Sequence, residues 1–437
     1  MCGFACGQPN CRPGLENEVD YTRHMMEDEP NFGECVVQKA TTPSGRCSPF
    51  MVLASDLAPW QSRKVTKQAT AQAYRQVYDQ KTFAMRVLPG KVQLVLPDFG
   101  HYDAEANLDK RSEEPFCIVG AVLNVLRQGI IKPGVEIVLS HGDLPSIRLQ
   151  RDSPPFYSFN DRELRVPSPV FSICGSDVFG DILFPNVCRP ALVNLTQKAE
   201  HVDWDEKYEK AFWRGTDRGG INWVPNYQRL LVDGSPRKRL LDSVSGDILD
   251  GAFLDDDLMN SSVVANDPNF VPMDQSLRWK YLLDLPGNGY SGALKQKLTG
   301  SSAVILPTEP LPPAPQDKKL QVYEHYMAGL RSWEHIIPFK TAEDLEKRVE
   351  WARRHDDTVL GIKNRANQYM EDFKMMSECY IYRLLSSWQE VLDYEVSADA
   401  SHFENSTVTE FAFLPPLPKQ AAKFEKMCDD FILKDSQ

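Results

Sequence analysis

Residues 279–302 read WKYLLDLPGNGYSGALKQKLTGSS: an apolar run resembling a buried strand, a loop with glycines at 287, 289 and 292, then a helical stretch carrying Lys295 and Lys297. Strand, glycine loop, helix is the order in which α/β proteins build anion sites. Glycine lets the backbone approach a ligand, and the N–H groups at a helix start favour negative charge. Gly287, Asn288, Gly289, Tyr290 and Ser291 make up the loop, the last two adding a ring and hydroxyls. The spacing is neither G-x-G-x-x-G nor a Walker A, so no dinucleotide or ATP fingerprint is met.

About seventy residues upstream, FWRGTDRGG (Phe212–Gly220) places Arg214 and Arg218 among Gly215, Thr216 and Gly219, after a short apolar run. Arginine beside glycine-freed backbone is suited to a diphosphate through charge-assisted hydrogen bonds. A surface turn with solvated arginines uses the same residues, but two such loops in one half of the chain point to one anion site.

Outward from these loops the chain alternates helix and strand, the rhythm of α/β domains. A helix is expected over Leu57–Gln80, and a hairpin from Phe83–Leu88 and Val92–Leu96 around Pro89-Gly90. There follow a helix Phe116–Arg127, a strand Val135–Ser140, and strand-like runs Pro169–Cys174 and Asp181–Pro185. In the second half, strand signals begin at Ala211, Trp279 and Ala303, the stretch Gly246–Pro272 reads as turns, and helical spacing covers Ala342–Arg354 and Val359–Ser387. The expected division is an irregular Cys-rich extension (1–55), an acceptor-side α/β domain (56–200), a donor-side α/β domain (201–395) and a C-terminal tail (396–437). A ligand would bind in the cleft between the two domains.

Composition narrows the function. The chain has 437 residues, 42% hydrophobic and 25% charged, enough for two cores, and a net charge of -12 that disfavours nucleic acid as a main partner. The longest apolar run, Phe116–Leu126, is too short to cross a bilayer. The start, MCGFACGQPNCRPG, shows no signal-peptide pattern, and a cytoplasmic location stays open. Five of the ten cysteines, Cys2, Cys6, Cys11, Cys35 and Cys47, crowd the first fifty residues without CxxC or a histidine partner, favouring disulfides over zinc. Sequons at Asn194, Asn260 and Asn405 fit a secretory route.

The loops and their flanks resemble the Rumi-type protein O-glucosyltransferases and fungal capsule-associated proteins of glycosyltransferase family ninety. The matching pieces come in order: PGVEIVLSHGDLP (Pro133–Pro145), SPVFSICGSDVFGDILFP (Ser168–Pro185), FWRGTDRGG, RWKYLLDLPGNGYSGALK, SWEHIIPF (Ser332–Phe339) and Glu378-Cys379-Tyr380. The resemblance covers about residues 80–395. It implies a GT-B fold, two Rossmann-like domains facing a cleft. It further implies metal-independent, inverting transfer of glucose or xylose from a UDP-sugar to a hydroxyl of a protein or polysaccharide, in the secretory lumen. No cofactor is implied beyond the UDP-sugar co-substrate.

Inversion needs one general base for the acceptor hydroxyl and cations or N–H groups for the departing diphosphate. The resemblance places the base in the polar loop 97–114, on Asp103, with Asp109 and Glu114 as alternatives. Arg214, Arg218 and Lys295 would hold the diphosphate. One departure stands out: Ala293 occupies the loop helix where the family usually has arginine, so a catalytically weakened relative that binds a glycan or partner through the same cleft is the alternative. Asp203, Asp205 and Asp255–Asp257 read as solvated loops and not as a metal-binding DxD. His141, His325 and His335 match no nucleophile at a hydrolase spacing, and Cys379 is expected to pair with an N-terminal cysteine.

Overall fold

The structure, a computed structural model, describes residues 35–37, 40, 46–77, 81–98, 113–142, 145–146, 168–176, 179–188, 202–217, 235–254, 267–287, 289–309, 311 and 322–436. It is a mixed α/β protein with two sheets. In the first half, β1 (Thr82–Leu88) and β2 (Lys91–Pro97) form the hairpin expected around Pro89-Gly90, and β1 also pairs antiparallel with β3 (Val135–Ser140). Parallel β4 (Val170–Ser172) and β5 (Ile182–Leu183) extend the sheet beyond β3. All residues of β1 and β3 are buried, because the sheet is covered on both faces. Phe83, Met85, Ile137 and Leu139 pack with the helix α3 (Glu113–Leu126) on one face, while Ala84 and Val138 meet Tyr74 on the other.

The second sheet is parallel throughout. Its strands are β6 (Tyr208–Thr216), β7 (Leu249–Leu254), β8 (Trp279–Leu283), β9 (Ala303–Pro307) and β10 (Ile337–Phe339), in the spatial order β7-β6-β8-β9-β10. Counted along the chain this is the order 2-1-3-4-5 of a doubly wound sheet, which reverses direction between β6 and β8. Helices α6 (Ala342–Arg354) and α7 (Asp356–Glu371) lay Leu345, Val349, Trp351, Val359 and Ile362 on Trp213, Tyr281 and Ile305. Thr341 caps α6, with Glu343 and Asp344 in its first turn and Arg353 and Arg354 in its last, so the termini are matched to the helix dipole. A third cluster joins the halves, packing Val52 and Leu183 with Leu294, Val304, Tyr326 and Met370.

Several elements differ from expectation. The helix foreseen over Leu57–Gln80 is two: α1 (Pro49–Arg63) and α2 (Lys67–Gln76). Lys64, at φ 56°, breaks the first, and the Thr66 side chain caps the second. α1 starts inside the stretch taken as irregular, because Ser48 caps its N-terminus and Pro49 is preorganised for the first turn. The turn-rich stretch 246–272 contains β7, whose sequence LDGAFL is interrupted by Asp250-Gly251 and which lies at the sheet edge. The spacing over Val359–Ser387 divides between α7 and α8 (Phe373–Val391), and α8 turns Tyr380, Leu384, Leu385 and Trp388 into the core of the first sheet.

Residues 396–437, expected to form a tail, add the strand β11 (Ser406–Ala412) antiparallel to β2 and the helix α9 (Pro418–Ser436). Cys379 does not pair with an N-terminal cysteine: its disulfide partner is Cys428 of α9, which pins that helix to α8. A second disulfide joins Cys35 to Cys47. Cys2, Cys6, Cys11 and the sequons at Asn194 and Asn260 lie outside the described residues, whereas Asn405 is exposed just before β11. No described helix is long and apolar enough to cross a membrane.

Candidate functional site

Both glycine-containing loops leave the C-terminal ends of β6 and β8, the neighbouring strands where the order reverses. In open α/β sheets that crevice is the ligand position. The end of β6 carries Gly215 and Thr216, and β8 runs on through Asp284-Leu285-Pro286-Gly287. Glycine at 215 is required by packing, since a Cβ there would meet the Trp213 ring at 2.7 Å. At Gly287 the loop folds tightly: its N–H donates to Tyr290 O at 3.3 Å, and a Cβ would sit 3.1 Å from that same oxygen.

Arg237 ties the two strand ends together. From the first turn of α4 (Pro236–Ser243), its Nη1 donates to Thr216 O at 2.9 Å, Nε to Pro286 O at 3.0 Å and Nη2 to Leu285 O at 3.2 Å. Its guanidinium also lies 5.3 Å from the centre of the Trp213 ring, and the α4 cap Ser235 donates to Asp217 just past β6. Sequence reasoning missed Arg237; the Ser-Pro-Arg helix start is the signal that marks it.

Arg214 lies elsewhere. Its guanidinium folds back along β6, donating to Asp250 Oδ1 and Asp250 O, each at 2.8 Å, and stacking 4.6 Å from the Phe212 ring centre. Asp250 is the register partner of Phe212, two residues before Arg214, so the charge stops short of the strand end. Lys295 is likewise committed. It is 1% exposed, and its Nζ donates to Glu324 Oε1 and to Asn186 O, both at 2.8 Å. Its ammonium is shielded in that ion pair and positions its surroundings. The loop helix α5 (Leu294–Leu298) has five residues and no side-chain cap at Ala293, so its dipole adds little.

Below the loop, Asp284 accepts from Ser291 Oγ at 2.7 Å and from Lys297 Nζ at 2.8 Å. Tyr290 points its hydroxyl at the first half, accepting from Asn186 Nδ2 at 3.0 Å. Asn186 thus holds Tyr290 through its side chain and Lys295 through its carbonyl. Two residues on, Cys188 Sγ donates to Glu114 O at 3.4 Å. Through 186–188 the glycine loop therefore reaches Glu114 at the start of α3.

Glu114 Oε2 lies 2.8 Å from Nδ1 of His141, which follows β3 directly and is itself buried. Of the expected carboxylates, Glu114 is thereby placed at the C-terminal end of the first sheet's parallel strands, while Asp103 and Asp109 lie outside the described residues, as do Arg218, Gly219, Asn288 and Asp255–Asp257. Gly289 continues the loop between Gly287 and Tyr290. Asp203 precedes, and Asp205 lies within, a short 3-10 turn (Trp204–Glu206) on the second half. Among the described residues no cluster of three or more His, Cys, Asp or Glu is set to hold a metal.

The other two histidines singled out in the sequence, His325 and His335, are packed. His325 Nε2 pairs with Ser377 Oγ at 2.9 Å, and burial, helped by Lys295, pushes its pKa well down. His335 stacks on Tyr369 and is held to about 4, by burial first, with Arg331 and Arg365 adding and Glu334 opposing. Its neighbour Trp333 has φ 66°, unusual for a bulky residue, and is locked by its N–H to Ile336 O at 2.7 Å and by Arg348 over its ring.

Two sheets of a mixed α/β protein thus meet at one junction, with the glycine-bearing loops of the second sheet at its β6–β8 reversal. The chain belongs to glycosyl transferase family 90, whose profile matches residues 42–410. It is 25% identical to protein O-glucosyltransferase 2 of Danio rerio over 292 residues, 62% of this chain and 50% of that one. The O-glucosyltransferase rumi homolog of Aedes aegypti is 23% identical over 299 residues, 62% of this chain and 65% of that one. The uncharacterized protein 027R of Frog virus 3 is 25% identical over 278 residues, 55% of this chain and 28% of that protein. The chain thus spans about half the length of the first of these relatives.

Proposed function

We propose that this protein is a GT-B glycosyltransferase that moves glucose or xylose from a UDP-sugar to a hydroxyl of a protein or polysaccharide, with inversion and without a metal ion. The observation that carries the reading is the convergence of both glycine loops on the β6–β8 reversal, tied there by Arg237. The diphosphate would lie on N–H groups of the loop that follows Gly287, with Arg237 supplying the charge between the loops. The acceptor hydroxyl would approach from the first sheet. Glu114, held by His141, is the described carboxylate there, with Asp103 and Asp109 retained, and Asp143 added because it follows β3 by three residues. Kinship with protein O-glucosyltransferases supports a protein acceptor, and the disulfides support a secretory location.

A second reading has a specific observation behind it: Ala293 leaves the loop helix without arginine, and Lys295 is buried in its ion pair. A donor-binding relative with little turnover fits those facts. To decide, pure protein is incubated with UDP-glucose and UDP-xylose, with and without chelator, and UDP release and donor binding are recorded. Transfer requires release that survives chelator and falls at least about a hundredfold in one of Asp103→Asn, Asp109→Asn, Glu114→Gln or Asp143→Asn. Binding without release on any acceptor selects the second reading, and absence of both overturns the donor site.

A further inference from the structure

Cys117 and Cys188 carry no disulfide in the structure, and both side chains are partly open to solvent. Cys117 lies on α3, one turn after Glu114, and Cys188 Sγ rests 3.4 Å from the carbonyl oxygen of Glu114 on the same helix. Both cysteines thus lie where α3 meets the segment that leaves β5. That segment also carries Asn186, which binds Tyr290 and Lys295.

We propose that Cys117 and Cys188 form a third disulfide, linking α3 to the 186–188 segment and so fixing the route by which the glycine loop meets the first half. The two disulfides already present, Cys35–Cys47 and Cys379–Cys428, require an oxidising environment, which this pair also meets. Acidity differentiates the two thiols. The hydrogen bond from Cys188 holds the Cys117 thiol below its ordinary pKa, while the same contact and burial push Cys188 up. Cys117 is therefore the attacking thiolate.

With a small disulfide as oxidant, Cys117 sulfur attacks one of its sulfurs and one thiolate leaves, giving a mixed disulfide. Cys188 then loses its proton to solvent and attacks Cys117 Sγ, expelling the second thiolate. Two protein thiols become one disulfide, and the oxidant disulfide becomes two thiols, so two electrons are transferred. The link does not depend on the sugar-transfer reading, since it is detected on the protein alone.

The test is peptide mapping of the intact chain under non-reducing conditions, after alkylation of open thiols. One sample is taken as secreted and a second after incubation with oxidised glutathione. The expected result is a cross-linked peptide pair containing Cys117 and Cys188 in the second sample, lost on reduction. In Cys117→Ser the same treatment should leave Cys188 fully alkylated or glutathionylated. Both thiols alkylated in the unaltered chain in both samples overturns the proposal, as does either sulfur found bonded to a different cysteine.

Discussion

Buried ion pairs in the two halves use the same chemistry to different ends. In the first sheet Arg86 Nε meets Glu136 Oε2 at 2.7 Å, both side chains almost wholly buried. Arg86 also donates to Gln93 Oε1 and to the carbonyls of Ser397 and Asp399, while Glu136 Oε1 accepts from Tyr394 at 2.6 Å and His402 at 2.9 Å. The network, in which Arg86 and both Glu136 oxygens are paired while His402 Nδ1 has no partner among the described residues, fastens the segment after α8 onto β1 and β3. At the junction, Lys295–Glu324 and Lys297–Asp284 lie beneath the glycine loop, and among the described residues Asp284 Oδ2 finds no hydrogen-bond partner. The two differ in place: the first joins a late segment of the chain to a sheet interior, whereas the second, with Asp284 Oδ2 and Glu324 Oε2 unpartnered among the described residues, lies beneath the glycine loop.

The largest expected effect comes from breaking the Arg86–Glu136 pair. Arg86→Met leaves Glu136 buried without its cation and should cost about 3–5 kcal/mol in unfolding free energy by denaturant titration. Donor affinity of the folded fraction should stay within about twofold, because no loop residue is touched. A cost near zero would remove the distinction between the pairs.

Lys295→Met should destabilise by a comparable or slightly smaller amount, but the informative variant is Lys295→Met with Glu324→Leu. Replacing both charges by apolar groups should restore stability to within about 1–2 kcal/mol of the parent, as buried pairs often allow. Donor binding should nevertheless remain weakened at least about tenfold, since the tether from Lys295 to Asn186 O is gone. If the double variant binds donor normally, the pair is packing alone.

Acid should separate the halves. His335, in the second, is lowered to about 4 against 6.5 when exposed, so folding favours its neutral form. Its contribution is complete above about pH 6.5 and is lost as pH falls toward 4, about 2 kcal/mol of it by pH 5, with buried His325 adding to the same limb. For Glu136, burial alone would raise the pKa, but the hydrogen bond and charge of His402, with Tyr394 and Arg86, bring it below 4.5. That stability is present above pH 4.5 and lost only below it. Denaturant midpoints measured between pH 7 and 5 should fall less in His335→Gln than in the parent; parallel falls would assign the limb to other groups.

Much of this division was legible in the sequence, and the exceptions have physical causes. The β1–β2 hairpin, β3 and α6 follow from apolar runs set off by Pro-Gly and by a threonine cap, all local signals. β7 was hidden because Asp250-Gly251 interrupts its sequence, and β11 because a strand supplied from the far end of the chain carries no local sign of its partner. At the site, both glycine loops were readable, since an added Cβ would clash at Gly215 and be crowded at Gly287. The charges were not. Whether an arginine faces the crevice or, like Arg214, folds back onto Asp250 is decided by a neighbouring strand, and Glu324 lies far along the chain from the lysine it neutralises.

The smallest effect tests the seam itself. Tyr290→Phe removes one hydrogen bond, from Asn186 Nδ2 to the phenol oxygen, while keeping the ring in the core it shares with the first sheet. The stability cost should be about 1 kcal/mol, because a single buried bond exchanged with water is worth little net and the ring's burial is unchanged. Donor binding should weaken by about fivefold, since the loop loses the Asn186 hydrogen bond to the first half but keeps the Lys295 tether. A titration that finds affinity unchanged, with the stability cost present, would make Tyr290 part of the junction core only and leave Lys295 alone in coupling the loop to the first sheet.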